Sequence, residues 1–215
     1  MPFNKAMHPK GFRAFLNYAN GQLGDWGIHW MDQILWWAEE TYPKMVASTG
    51  GRHIKRDNTD APDTQIAQFE FDSFTATWEH RQYAANNAEK HNIGCYFYGT
   101  AGTLHLGWLD GWTFYKANQD TPEVHVEPTL HTNDQHNIPE LWADFVRCIK
   151  SGGRPICDIE IGHRSTTMSL LAMLSLNLGR SVQWDGERQV IVGDPEASKL
   201  LERPYRAPWE YPAIS

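Results

Sequence analysis

Between residues 65 and 115 the sequence alternates. Gln65–Phe71 sets Ile66, Gln68 and Glu70 against Ala67, Phe69 and Phe71, the period-2 pattern of a half-buried strand. Thr75–Tyr83 follows the polar turn Asp72-Ser73, so these two segments read as an antiparallel hairpin. Cys95–Tyr98 and Thr103–Leu106 flank Gly99-Thr-Ala-Gly102 as a second hairpin, and Trp112–Tyr115 is a further strand. A short apolar run, Lys44–Ser48, ends at Gly50-Gly51. This block limits the fold more than any other feature. Strands joined by tight turns pair antiparallel. The β-α-β-α rhythm of a nucleotide-binding sheet is absent.

Helical patterns bracket the block. One helix is expected from about Gly24–Gly27 to Glu40, with Ile28, Met31 and Leu35 as its core stripe and Pro43 as a stop. Ile138–Lys150 has Pro139 in its first turn and Gly152-Gly153 after its end. Gly162–Gly179 is long and apolar, with Leu170, Leu171, Leu174 and Leu178 on its buried side. Asp158 and Glu160 precede it, where the helix dipole favours negative charge. Ser181–Trp184 and Gln189–Val192 read as short edge strands, and Asp194-Pro195 opens a small helix running to Leu201. The stretch 120–137 is polar and reads as a loop. The expected fold is therefore α+β, built on a mostly antiparallel sheet, in one domain over residues 21–203, with no Rossmann domain. Residues 1–20 are expected to be irregular, a remnant of an interdomain region, and 204–215 a Pro-rich extended tail.

Composition narrows the function classes. A chain of 215 residues buries enough surface to fold without disulfide or metal staples. The net charge of −7 argues against a nucleic-acid surface, which needs a basic stripe. No apolar run has membrane-spanning length, and Met1–Asn20 lacks the apolar core of a signal peptide. A soluble, cytoplasmic location is favoured for the chain as given, with export open if a signal lies upstream. Cys95, Cys148 and Cys157 form no CxxC pair and read as small hydrophobes.

The chemistry concentrates at Gly21-Gln-Leu-Gly-Asp-Trp-Gly-Ile-His-Trp-Met-Asp32. Asp25 and His29 are four apart at a helix start, hence on one face. Asp32 and Trp36 continue the line. Histidine exchanges a proton near neutral pH, and an adjacent carboxylate orients it, as a base acting on a hydroxyl requires. The competing reading makes Asp25 a helix cap and His29 a satisfied, partly buried histidine. Asp158-Ile-Glu-Ile-Gly-His-Arg-Ser165 offers His163 and Arg164 as substrate contacts, against a solvated helix start. In Trp78-Glu-His-Arg81, Glu79 and Arg81 share one strand face and Trp78 and His80 the other. Arg81 is either a substrate contact or half of a cross-strand salt bridge. No HExxH or CxxC spacing appears, so no metal site is assigned. There is no GxGxxG after a strand, no Walker A sequence and no GxSxG elbow.

The Gly21–Asp32 segment resembles the GGGxxxDxGxHxxD motif of the glucose–fructose oxidoreductase/inositol dehydrogenase/rhizopine-catabolism (Gfo/Idh/MocA) family. The resemblance continues through Pro62-Asp-Thr64, Tyr98-Gly-Thr-Ala-Gly-Thr-Leu104, Asp158–Ser165 and Gly193-Asp-Pro-Glu-Ala197, so it spans about residues 12–209. Ala19 and Asn20 stand where the family has its first two glycines. The resemblance implies the family's C-terminal α+β domain, an open, mostly antiparallel sheet with helices packed on one face, without the Rossmann domain that holds NAD or NADP. By motif match, Asp25 and His29 take the positions of the family's catalytic pair. The family's lysine, in a Glu-Lys-Pro motif, belongs to the Rossmann half; the Glu89-Lys90 of this chain is followed by His91. Homo-oligomers through the open sheet face are also implied. The leading expectation is the substrate-binding, catalytic-His domain of an NAD(P)-dependent oxidoreductase acting on a sugar, cyclitol or related polyol. Such a domain would bind a carbohydrate-like molecule, need a Rossmann-domain partner, and bind no nicotinamide alone. The alternatives are a non-catalytic binding or oligomerisation module and a metal-assisted sugar lyase or isomerase.

Overall fold

The first hairpin takes the register its alternation dictates. In the computed structural model, which describes residues 5–86, 89–118, 120–129 and 138–211, a π-helical turn over Leu23–Gly27 leads into α1 (Ile28–Ala38). Three strands follow: β1 (Met45–Gly51), β2 (Thr64–Glu70) and β3 (Thr75–Arg81). Phe69 faces Ala76 across the hairpin and Gln65 faces His80. On β2, Gln65, Ala67 and Phe69 are buried while Ile66 and Gln68 are exposed. Next come β4 (Gly94–Gly99), β5 (Gly102–Gly107), β6 (Trp112–Lys116) and β7 (Val124–Val126). Helix α2 (Ile138–Ser151) and α3 (Ile159–Leu178) precede β8 (Val182–Asp185), β9 (Val190–Ile191) and the short α4 (Pro195–Lys199).

The α+β class and the antiparallel pairing hold, but the strands fall into two sheets. One has the order β3-β2-β1-β8-β9 and the other β4-β5-β6-β7. The chain divides in the same way. One compact unit joins the residues up to Tyr83 with those from His163 onward, and Ala84–Gly162 forms the second. The N-terminal segment, expected to be irregular, makes 3₁₀ turns at Lys5–Met7 and Gly11–Ala14 and buries Phe15 in the first unit.

The core of the first unit lies between its sheet and α3. Val46, Ala67, Phe69 and Phe71 are buried from the strand side, and Met168, Leu171, Ala172 and Leu174 from the helix. Each large apolar side chain buried here contributes roughly 1.5–3 kcal/mol. Helix α3 is sunk deeper than its leucine stripe implies: Ser165, Thr167, Ser169 and Ser175 are buried as well. Small hydroxyl side chains permit this because each finds an acceptor or donor at once. Ser175 Oγ donates to the Arg180 carbonyl at 2.7 Å and accepts from the Ser48 N–H at 2.9 Å, pinning α3 to β1. Leu170, expected in the stripe, is exposed.

Several boundaries move for identifiable reasons. Helix α3 starts at Ile159, because Asp158 Oδ1 accepts from the Ile161 N–H and caps it. Strand β7 falls in the stretch read as a loop, where Trp112 pairs with Val126; residues 130–137 of that stretch lie outside the described residues. Asp194 caps α4 through the Ala197 N–H, as the Asp-Pro pair predicts. The tail from Pro204 to Tyr211 is exposed, with the Tyr205 and Tyr211 rings stacked at 4.3 Å. No helix among the described residues is long and apolar enough to cross a membrane.

Candidate active site

The Gly21–Asp32 segment is helical from its first residue, but not regularly so. Gly21 has φ +63°, and a Cβ there would lie 2.8 Å from Ala61 Cβ. Only glycine combines that backbone with that approach. The π-turn that follows inserts an extra residue into the helical repeat, a distortion common at functional sites. It rotates the face of α1. The buried set is Leu23, Gly27, Trp30, Met31 and Ile34, whereas Ile28 and Leu35 of the expected stripe are only half-buried. Gly27 is tight for the same reason: a Cβ would meet Leu23 and sit 3.5 Å from the Trp78 ring.

Asp25 lies inside the π-turn, with Gln22 at its N-terminal boundary, so Asp25 is not the helix cap. Its Oδ2 is 3.1 Å from Arg13 NH1. His29 is exposed one turn on, with its ring edge-on to Trp26 at 6.4 Å. Trp36 continues the outward line at 83% exposed. Asp32 turns toward α3 and accepts from Ser165 Oγ at 3.1 Å. Ser169 Oγ reaches the Leu23 carbonyl at 3.4 Å. The segment carrying Asp25 and His29 is thus held from behind at two points on α3, while the two side chains face away from the core.

The loop before β2 supports that segment. Asp63 is fully buried and accepts from the N–H groups of His53, Ile54 and Lys55 at 2.8–3.1 Å and from Thr64 Oγ1 at 2.9 Å. Burial acts to raise its carboxyl, but those hydrogen bonds prevail and hold it well below the usual carboxylate range. Asp60 ties the same loop to the N-terminal segment, accepting from the Leu16 N–H at 2.6 Å. Pro62-Asp-Thr64 therefore fixes the platform on which Gly21 rests.

The other candidate residues occupy different surroundings. Arg164 stacks over the Tyr42 ring at 5.4 Å, its Nε 3.3 Å from the hydroxyl. His163 Nε2 is 2.8 Å from Gln189 Oε1, at the β8–β9 turn. Arg81 pairs with Glu79 at 2.8 Å along its own strand. The face opposite Arg81 carries Trp78 and His80, and Trp78 is the one that packs at Gly27. Arg13, Tyr42 and Ser165 were not singled out from the sequence, because each meets its partner only through tertiary packing. His80, buried, accepts from Trp78 Nε1 at 3.0 Å through Nδ1, which leaves Nε2 to donate to the Pro62 carbonyl at 3.3 Å. Burial pushes its pKa down, so it is a neutral structural imidazole. Burial likewise pushes the Cys95 thiol up to about 11, in keeping with an inert packed cysteine.

All strand pairings among the described residues are antiparallel, and none of these residues forms a strand-to-helix glycine turn of the kind that cradles a pyrophosphate.

A family model described as "Oxidoreductase family, C-terminal alpha/beta domain" matches residues 1–211. The chain belongs to this Gfo/Idh/MocA oxidoreductase family, as the C-terminal domain. Solved structures share the fold. The aldose-aldose oxidoreductase from Caulobacter crescentus, complexed with glycerol, is 20% identical with a TM-score of 0.61, covering 81% of this chain and 51% of that one. An oxidoreductase from Agrobacterium radiobacter in complex with NAD+, L-tartaric acid and magnesium is 15% identical with a TM-score of 0.58, covering 76% and 49%. UDP-N-acetylglucosamine 3-dehydrogenase from Acidithiobacillus ferrooxidans is 16% identical with a TM-score of 0.54, covering 70% and 45%. The chain spans about half the length of these structures. No curated protein matches it.

Proposed function

We propose that this chain supplies the substrate side of an NAD(P)-dependent oxidoreductase acting on a sugar, cyclitol or related polyol. The observation that carries the reading is the presentation of His29: exposed, one turn beyond Asp25, on a helix whose opposite side is fixed to α3. His29 takes the proton of a substrate hydroxyl and returns it in the reverse direction. Asp25, with Arg13 at its carboxylate, sets the charge beside that ring. Arg164, His163 and Arg81 are secondary candidates for substrate hydroxyls. The nicotinamide, which supplies hydride exchange, is held by a Rossmann domain outside the described residues. The solved structures named above, two with sugar-type names and one of these with glycerol bound, support this substrate class.

The test is reconstitution. Fused to or mixed with a family Rossmann domain, the chain is expected to oxidise a polyol panel with cofactor reduction followed at 340 nm. His29→Ala should lower kcat by at least about 100-fold, the usual share of a general base, with Tm unchanged. Activity that survives this change defeats the assignment. The isolated chain is expected not to bind NADH, and micromolar binding in a fluorescence titration would contradict the division of labour. We further propose that the exposed apolar surface of the second unit (Trp142, Phe145 and Ile149 on α2 and Tyr98 on β4) is covered in a homo-oligomer.

A further inference from the structure

The second unit holds a cluster that the reading above does not use. On β4 and β5, Gly94 pairs with Gly107 and Tyr96 with His105, so these four lie on one face of the sheet. Two opposed glycines leave a gap in that face. A Cβ on Gly94 would sit 2.5 Å from His105 Nε2, and one on Gly107 would collide with the Asp110 carboxylate. The gap is occupied by imidazole and carboxylate. His91, three residues before β4, stacks on His105 with centroids 3.7 Å apart and planes 21° apart. Its Nδ1 lies 2.8 Å from Asp110 Oδ2. Tyr96 flanks both rings, at 4.7 Å from His105 and 6.4 Å from His91.

This arrangement is incomplete as a hydrogen-bond network. His105 is 1% exposed and the His91 side chain 16%. The Nε2 atoms of both are buried and have no hydrogen-bond partner among the described residues. A buried polar nitrogen without a partner costs on the order of 1–3 kcal/mol, and here two such rings are held in contact. One nitrogen from each ring and one Asp110 oxygen lie within 4.8 Å of one another. Zinc holds imidazole nitrogen at about 2.0–2.1 Å and carboxylate oxygen at about 2.0–2.2 Å, so the stacked rings must turn out of their parallel arrangement for the three donors to converge on one cation. Two imidazoles and a carboxylate are a donor set for borderline metals rather than for calcium or magnesium, which take oxygen ligands.

We propose that His91, His105 and Asp110 bind a first-row divalent transition-metal ion of the zinc class. The ion gives the buried imidazoles a partner. It clamps the segment before β4 to the β5–β6 hairpin, whose turn carries Asp110 and closes through Gly107 N–H to the Gly111 carbonyl at 2.9 Å. Three protein donors leave room for a water in the coordination sphere. Sequence spacing gives no warning of the site, because strand pairing alone brings residue 91 to residues 105 and 110.

The experiment is titration of the full chain, stripped with chelator, with cobalt(II) as a spectroscopic probe and then zinc(II). The expected result is one equivalent of cobalt producing visible d–d absorption, displaced by zinc, with a rise in Tm in zinc that EDTA reverses. Asp110→Asn should weaken binding by about 10–100-fold or more, the loss usual even for residues that only support a ligand. His91→Gln should abolish the one-equivalent spectrum. Both positions are more exposed than His105, and circular dichroism confirms that each variant is folded. His8→Gln, which removes an exposed histidine of the other unit, should leave binding unchanged. The proposal is overturned if the wild-type chain shows no saturable one-equivalent site, or if that site persists in folded His91→Gln and Asp110→Asn.

Discussion

The two units bury different kinds of side chain. In the first, most of the large fully buried side chains are aliphatic or aromatic (Phe15, Leu23, Met31, Val46, Phe69, Met168 and Leu171), with the polar Asp63, Gln65, Ser169 and Ser175 buried among them. Among the described residues of the second, only Gly102, His105, Thr113 and Cys148 are buried. Apart from Cys148, its apolar side chains are left half-covered or exposed, and its deepest side chains are mostly polar. A unit built in the first way carries its own hydrophobic stabilisation. One built in the second way depends on what covers its faces and satisfies its buried nitrogens. The proposed cofactor-proximal chemistry sits in the first unit; the proposed oligomer surface and cation site sit in the second. Rigidity and association are thus assigned to separate parts of the chain.

The largest effect that separates the units is a cavity. Phe69→Ala, in the first core, should cost about 3–5 kcal/mol in urea unfolding. Phe114→Ala on β6, half-buried, should cost closer to 1 kcal/mol, the centre of the range for point substitutions. Equal losses would erase the contrast. Next in size is Asp63. Replacing it with Ala removes the charged acceptor of three part-buried N–H groups in the loop before β2 and should cost about 3 kcal/mol at pH 7. The sign with pH follows from its depressed folded pKa. Such a carboxyl stabilises the fold above its unfolded pKa of roughly 4, and the contribution is lost as pH falls from there through the lower folded value. The gap in urea midpoint between wild type and Asp63→Asn should therefore narrow from pH 6 to pH 2.5. A constant gap would mean that the charge is irrelevant there. Smallest in stability is the pair Trp142→Ser and Phe145→Ser. Each is exposed, so unfolding free energy should move by less than about 0.5 kcal/mol. Sedimentation velocity should nonetheless show a smaller species. An unchanged sedimentation coefficient would remove α2 from the proposed interface.

The sequence made the hairpins legible because one face of each must be buried, and period-2 alternation records that directly. Phe69 and Phe71 point inward as their spacing requires. The π-turn was not legible. Gly24 and Gly27 mark close approach, but no residue pattern distinguishes an inserted residue from a regular turn, so the buried face came out rotated from Ile28 and Leu35 to Trp30 and Ile34. Division into two sheets was equally hidden, since alternation tells which residues face inward and not which strands become neighbours. At the site, Asp25 and His29 were visible through spacing and motif. Their surroundings were not: Arg13, Ser165 and the Trp78–Gly27 packing depend on contacts between distant segments. Strand β7 was missed because a three-residue edge strand in polar sequence carries too few positions to show a period.

The way the first sheet is completed has a kinetic consequence. Its third strand, β1, is finished on one side early, by β2, and on the other only by β8, which the ribosome makes after the entire second unit. Ser48 and Ser175, which lock β1 to α3, are 127 residues apart. Closing contacts of such separation is slow, and until then β1 presents a bare edge to any passing strand. The order of synthesis therefore makes the unit that carries His29 the last to close, and leaves the nascent chain with an open β1 edge for as long as the inserted unit is being made.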